Sequence, residues 1–126
     1  MYDSGADIVY HAAGASGLGV FQAAQERGKF AIGVDADQSR SEPDFADWIL
    51  ASMVKRVDTA VYTAIENEVN GEFNGGSVTT LGLQSDGVAC VYGEAPGDAI
   101  PQDVKDQVDA SRQAIIDGEI TVPTEP

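Results

Sequence analysis

Two acids, a lysine and a glycine-rich turn are the residues of this chain whose types and spacing suit chemistry. Asp35 closes the apolar run Phe30-Ala31-Ile32-Gly33-Val34, and Asp37 follows two positions later. A carboxylate fixed at a strand end accepts two hydrogen bonds in a set geometry, which suits a ribose diol or another sugar. A solvated loop acid is the alternative for both. A metal pair is disfavoured, because no third acid or His follows at the spacing of a calcium loop. The run Gly14-Ala15-Ser16-Gly17-Leu18-Gly19 leads from a strand into a helix. There, backbone N–H groups and the helix dipole can hold an anion or a hydroxyl-rich ligand. The same glycines equally permit a tight turn at positive φ with no ligand. Lys55, in Ser52-Met53-Val54-Lys55-Arg56-Val57-Asp58, is expected in the first helical turn after a third strand. Lysine there opposes the helix dipole, so in a chain with only three lysines it invites a functional explanation. It either donates to a ligand or pairs with Asp35 in a salt bridge.

Enzyme constellations are otherwise thin. His11 is the only histidine and lies in an apolar strand, so it reads as a satisfied interior or edge residue rather than a general base. The turn around Ser16 is not a nucleophile elbow, because Leu18 occupies the last glycine position. One Cys and one His supply no zinc set. Cys90, within Val88-Ala89-Cys90-Val91-Tyr92, reads as a small buried hydrophobe with no basic neighbour to activate it. Trp48 reads as core or strand-end packing. No catalytic residue, cofactor or metal is expected.

These candidates need elements to hold them. Apolar runs alternate with breakers in the manner of an α/β domain built on a parallel sheet. The first strand, 6–13, is nearly continuous in apolar residues, as a strand covered on both faces should be. A helix over 17–27 follows, with Ser16 as N-cap and Gly28 as its stop. A second strand covers 30–34, a polar loop with Pro43 covers 39–47, and a third strand covers 48–51. Ser52 is then expected to cap a long helix through about Asn70, with Val54, Val57, Val61, Ala64 and Ile65 as its apolar stripe. Residues 71–77 form a loop, and 78–83 and 88–92 read as strands around Ser85-Asp86-Gly87. A last helix over 101–117 takes Pro101 at its first position and stops at Gly118, with the short apolar segment 120–122 before a Pro-rich end.

Composition sets the outer limits. The chain has 126 residues, 7 basic and 21 acidic side chains, and a net charge of -14. That is one domain with no membrane-spanning run, long enough to bury roughly two thirds of its unfolded surface without disulfide or metal. Acids spread along the whole chain repel phosphate backbones and anionic lipid heads, so nucleic acid and membrane surfaces are not expected partners. Such acidity with few lysines points to a salt-adapted source, where screening tolerates the self-repulsion. Met1-Tyr2-Asp3-Ser4-Gly5 has neither the basic start nor the apolar core of a signal peptide, so the chain is expected to begin inside a fold or to belong in the cytoplasm.

Four runs in order resemble one family. They are Gly5-Ala6-Asp7-Ile8-Val9, Ala13-Gly14-Ala15-Ser16-Gly17-Leu18-Gly19-Val20, Ala31-Ile32-Gly33-Val34-Asp35-Ala36-Asp37-Gln38 and Ser52-Met53-Val54-Lys55-Arg56-Val57-Asp58. Together with Gly118-Glu119-Ile120-Thr121-Val122-Pro123, they resemble the basic membrane protein (BMP) family: substrate-binding lipoproteins of ABC importers that include purine nucleoside receptors. The resemblance implies a three-layer parallel-sheet α/β lobe of the type I periplasmic-binding-protein-like fold, truncated. It makes residues 1–126 a single partial lobe, the second of two. It also implies that Gly14, Asp35 and Lys55 line the ligand cleft, with Asp35 and Lys55 on ribose hydroxyls. An ABC permease is the implied partner, and family members are extracytoplasmic and membrane-anchored.

The resemblance further implies that the other half of such a site, with the aromatic residues that would stack on a base, belongs to a first lobe that this sequence is expected to lack. The family's sheet order implies a further strand beside 6–13, without which an apolar edge is left, and a homodimer or strand exchange there is expected. Two other readings compete. A glycine turn followed about 20 residues later by an acid also builds Rossmann-like dinucleotide-binding oxidoreductases, but the glycines here fall as G-x-x-G-x-G rather than G-x-G-x-x-G. An orphan interaction or regulatory lobe without ligand is the third.

Overall fold

The structure, a computed structural model, describes residues 1–123. The expected Pro-rich end therefore lies in part, at 124–126, outside the described residues. The chain forms two compact units, one of Met1–Lys55 with Cys90–Pro101, the other of Arg56–Ala89 with the residues from Gln102 on.

The first unit is organised by a sheet of order β1-β2-β3-β4, with β1 Ile8–Tyr10, β2 Phe30–Asp35, β3 Ile49–Lys55 and β4 Val88–Tyr92, the last running into this unit from the other. Strands β1, β2 and β3 are parallel, as the alternation of strands and helices predicts, with Tyr10 opposite Ile32 and Asp35 opposite Val54. An irregularity lies between Ala31, paired with Ile49, and Ile32, paired with Ala51. The carbonyl of the skipped Leu50 accepts the Gly93 N–H at 2.9 Å.

Helix α1, Leu18–Arg27, turns Phe21 and Ala24 inward, three positions apart and so on one helical face. Both are wholly buried with Ala31 of β2 and Ile49 of β3, and Tyr2, Val20, Phe45 and Trp48 pack around them. Trp48 thus takes the core role expected of it. Gly28, at φ 61°, ends the helix in the left-handed conformation that a side chain resists.

Several boundaries differ from those the sequence predicts. The first strand is β1 alone, three residues of the expected 6–13, with Ile8 and Tyr10 about half exposed. Ser16 does not cap α1; it sits within a 3-10 turn, Gly14–Gly17, and Gly17 occupies the cap position with no side-chain bond. The expected loop 39–47 carries helix α2, Gln38–Ser41, and a 3-10 turn over Pro43–Trp48. The third strand is longer than expected and takes in Ser52 and Lys55, so neither belongs to the following helix. Pairing of Ser52, Met53 and Val54 to β2 outweighs the helical spacing of the valines. Cys90 is exposed rather than buried.

The second unit holds helix α3, Val57–Val69, and helix α4, Gln102–Ile116, which starts one residue after Pro101. Neither helix has a buried residue, and the stripe Val57, Val61 and Ile65 is exposed. The expected strand 78–83 does not form. Val78 is 95% exposed, and the Gly82 carbonyl accepts the Gly87 N–H at 2.9 Å and the Ser85 hydroxyl instead of joining a ladder. Arg56 ties this turn down through Asp58 and Asp86, while its own N–H donates to the Gly87 carbonyl. Residues 120–122 take no regular structure.

Candidate functional site

In a parallel sheet the strand ends share one edge, and here the ends of β2 and β3 carry the two charged candidates. Asp35, the last residue of β2, stands at φ 71°, a conformation uncommon for any residue but glycine. The Ala36 N–H reaches back to the Val34 carbonyl at 2.9 Å, so the chain makes a three-residue turn about Asp35. Turns of this kind at positive φ are rare and strained, and strain of this sort gathers where a side chain must be aimed.

Gln38 holds that turn. Its side-chain carbonyl accepts the Val34 N–H at 2.7 Å, and its own N–H donates to the Ser52 hydroxyl of β3 at 3.1 Å. Gly33 makes room, since a Cβ there would lie 2.7 Å from Ser52 Oγ and 2.8 Å from Gln38 Oε1. Asp37 is committed elsewhere: its carboxylate caps α2 by accepting from the Ser39 N–H at 3.2 Å and hydroxyl at 2.6 Å, and it pairs with Arg40. Capping thus gives this acid a structural role.

Lys55, the last residue of β3, sets its ammonium 2.8 Å from Asp35 Oδ1. The hydrogen bond to Asp35, and then its charge, hold the Lys55 ammonium above the ordinary lysine range, with Tyr10 adding to the attraction. The salt bridge with Asp35, one of the two expectations for Lys55, is present. Lys55 therefore ends a strand rather than standing in the first helical turn, since α3 begins at Val57. Both side chains are more than half exposed. A solvated pair contributes little to folding, and its partners can trade each other for polar groups brought from solution.

Gly14, at φ 54°, opens the 3-10 turn that follows β1. Beneath that turn lies His11, only 6% exposed, whose N–H donates to the Ile32 carbonyl of β2 at 3.5 Å. Its ring meets Phe21 edge-on with centroids 5.0 Å apart. The expected interior position holds, but not the expected satisfaction, since neither ring nitrogen has a hydrogen-bond partner.

Gln38, Ser52 and Gly33 went unnoticed in the sequence as parts of this site. Two signals point to them. A glycine inside a strand marks a close approach, and Asp followed by Gln-Ser marks a helix cap. Among the described residues no group of His, Cys, Asp and Glu is arranged to hold a metal ion.

Comparison with known proteins adds a second line of information. The family described as ABC transporter substrate-binding protein, PnrA-like (Bmp), matches residues 1–125. A protein of Listeria monocytogenes named CD4+ T-cell-stimulating antigen is 37% identical over the whole of this chain and 38% of its own length. The ABC transporter nucleoside-binding protein BmpA of Lactococcus lactis is 36% identical over 98% of this chain and 38% of its own length. A solute-binding protein of an ABC transporter system from Aeropyrum pernix superposes on 99% of the chain with a TM-score of 0.77 at 31% identity, using 42% of its own length. The chain thus spans about two fifths of the length of these relatives.

Proposed function

The chain belongs to the family of PnrA-like ABC transporter substrate-binding proteins, and on that footing we propose that its first compact unit binds nucleosides through the ribose. In this reading the chain is a partial second lobe of an importer's receptor. Gly14, Asp35 and Lys55 line the ligand face, and an ABC permease receives the ligand from the complete assembly. Its work is binding and delivery rather than catalysis, in an extracytoplasmic, membrane-anchored setting like that of the family.

The Asp35–Lys55 pair at the ends of adjacent parallel strands carries the proposal. A carboxylate accepts from, and an ammonium donates to, the two oxygens of a vicinal diol. A ribose that replaces the pair's mutual contact therefore keeps both charges hydrogen-bonded. The strained turn at Asp35 and the clamp from Gln38 fix where the carboxylate points, which spares part of the ordering cost of binding.

Affinity is expected to be weak. If a complete receptor binds at about 1 µM, a lobe keeping about half of the contacts and lacking closure reaches only about 1 mM. A heteronuclear NMR titration with adenosine, guanosine and inosine at high salt tests the reading. Shifts localised at Gly14, Asp35 and Lys55, lost in Asp35→Asn and Lys55→Gln, support it. Silence at all three residues in a well-folded sample overturns it.

A further inference from the structure

Deepening that reading, and resting on it, we propose that His11 is a further ligand-binding residue, the floor of the site beneath the glycine turn, where its imidazole takes a hydroxyl of the sugar. The ring is more than nine-tenths buried, and both its nitrogens lack a hydrogen-bond partner. A buried polar group left unpaired is destabilising, and an apolar residue of similar shape would remove that penalty. Packing alone therefore does not account for a histidine here.

The ring's position says where a partner would come from. It lies so close under Gly17 that a Cβ at that position would overlap the imidazole. Its other neighbour is the apolar ring of Phe21, and its backbone is held by Ile32. The cover is the Gly14–Gly17 turn itself, a short 3-10 segment beginning at a glycine of positive φ. Such segments have weaker hydrogen-bond geometry than an α-helix, and the inference requires this turn to shift outward for a hydroxyl to reach the ring nitrogens. A neutral imidazole offers one donor and one acceptor. That pairing matches a hydroxyl, which can serve as both, better than it matches a carboxylate or an ammonium.

The experiment follows the His11 ring Cε1–H and Cδ2–H signals by NMR while inosine, D-ribose or adenine is added, and compares the wild type with His11→Leu and His11→Gln. Inosine and ribose should move the ring signals together with the Gly14 amide, and adenine should not. His11→Leu should melt at or above the wild-type temperature yet bind inosine about fivefold more weakly, the worth of one neutral hydrogen bond. His11→Gln, which keeps a donor and an acceptor, should recover part of that loss.

Movement of the Asp35 and Lys55 signals with a still His11 ring overturns the inference and leaves the ribose reading standing. So does a His11→Leu that melts lower than wild type and binds equally well. Ring shifts produced by adenine alone overturn the assignment to a hydroxyl. Stillness at Asp35, Lys55 and His11 with every ligand overturns both readings.

Discussion

Gln38 is the residue on which the aim of Asp35 depends most directly. Its side chain satisfies the half-buried Val34 N–H, and its backbone joins β2 to β3 through Ser52. Gln38→Ala leaves that N–H without its partner, for which the cost is about 1–2 kcal/mol. Urea unfolding should show the lowered midpoint, and Gln38→Glu, which keeps an accepting oxygen, should restore most of it. A second residue-scale expectation concerns pH. Arg27 grips Asp3 through two hydrogen bonds of 2.9 and 3.1 Å, and that bonding, then the attraction, holds the Asp3 carboxyl below the usual carboxylate range. A lowered folded-state value means that the contribution to stability is complete above the unfolded value of about 3.9 and disappears as pH falls through the folded one. Carboxyl carbon shifts of Asp3 should therefore titrate below the ordinary range in the wild type and within it in Arg27→Gln. The proximity of two candidates is legible at this scale, since Asp35 and Lys55 stand out by type and position and do pair. The element that holds Lys55 is not legible there, because the spacing of Val54, Val57 and Val61 suits a helix and only the pairing of residues 52–54 with β2 makes the segment a strand.

Strand β1 carries the element-scale consequence. It ends the sheet with one edge unpaired by any other strand among the described residues, and its Ile8 and Tyr10 are about half exposed. An edge of this kind is a template for another strand. We expect two copies of the chain to pair along residues 6–13. Light scattering at high salt should then give twice the 13.2 kDa chain mass, and Val9→Pro, which inserts a residue unable to donate, should be examined beside Ile8→Lys, which places a charge on the edge. A monomeric mass for the wild type sinks the expectation. Elements built on local signals were the easiest to read: α1 with its Gly28 stop, β2 up to Asp35, and α4 before Gly118. Segment 78–83 misled because its alternating valine, threonine and leucine residues have strand propensity, while the Gly82 carbonyl is taken up by the Ser85–Gly87 turn. The exposed face of α3 misled in a different way, since a period of 3.6 shows which residues share a face but not whether anything covers it.

At the scale of the whole molecule, charge is the dominant fact. A net charge of -14 on 126 residues repels itself in dilute buffer, and the repulsion is screened within about 3 Å at 1 M salt compared with about 30 Å at 0.01 M. The melting temperature should accordingly rise between low and molar sodium chloride. Equal melting at both ends of the series would show that acidity here is not a salt adaptation. By itself the sequence determined the α/β class with its parallel sheet, the acidic character and the family motifs, because apolar runs, glycine stops and charge are written residue by residue. Only the tertiary structure decided that Lys55 closes a strand and pairs with Asp35, that Gln38 and Ser52 brace the turn between them, and that the His11 ring lies unpartnered under Gly17. Each of those facts joins residues 4 to 20 positions apart, and contacts at such separations are chosen by sheet register and packing rather than by any local preference.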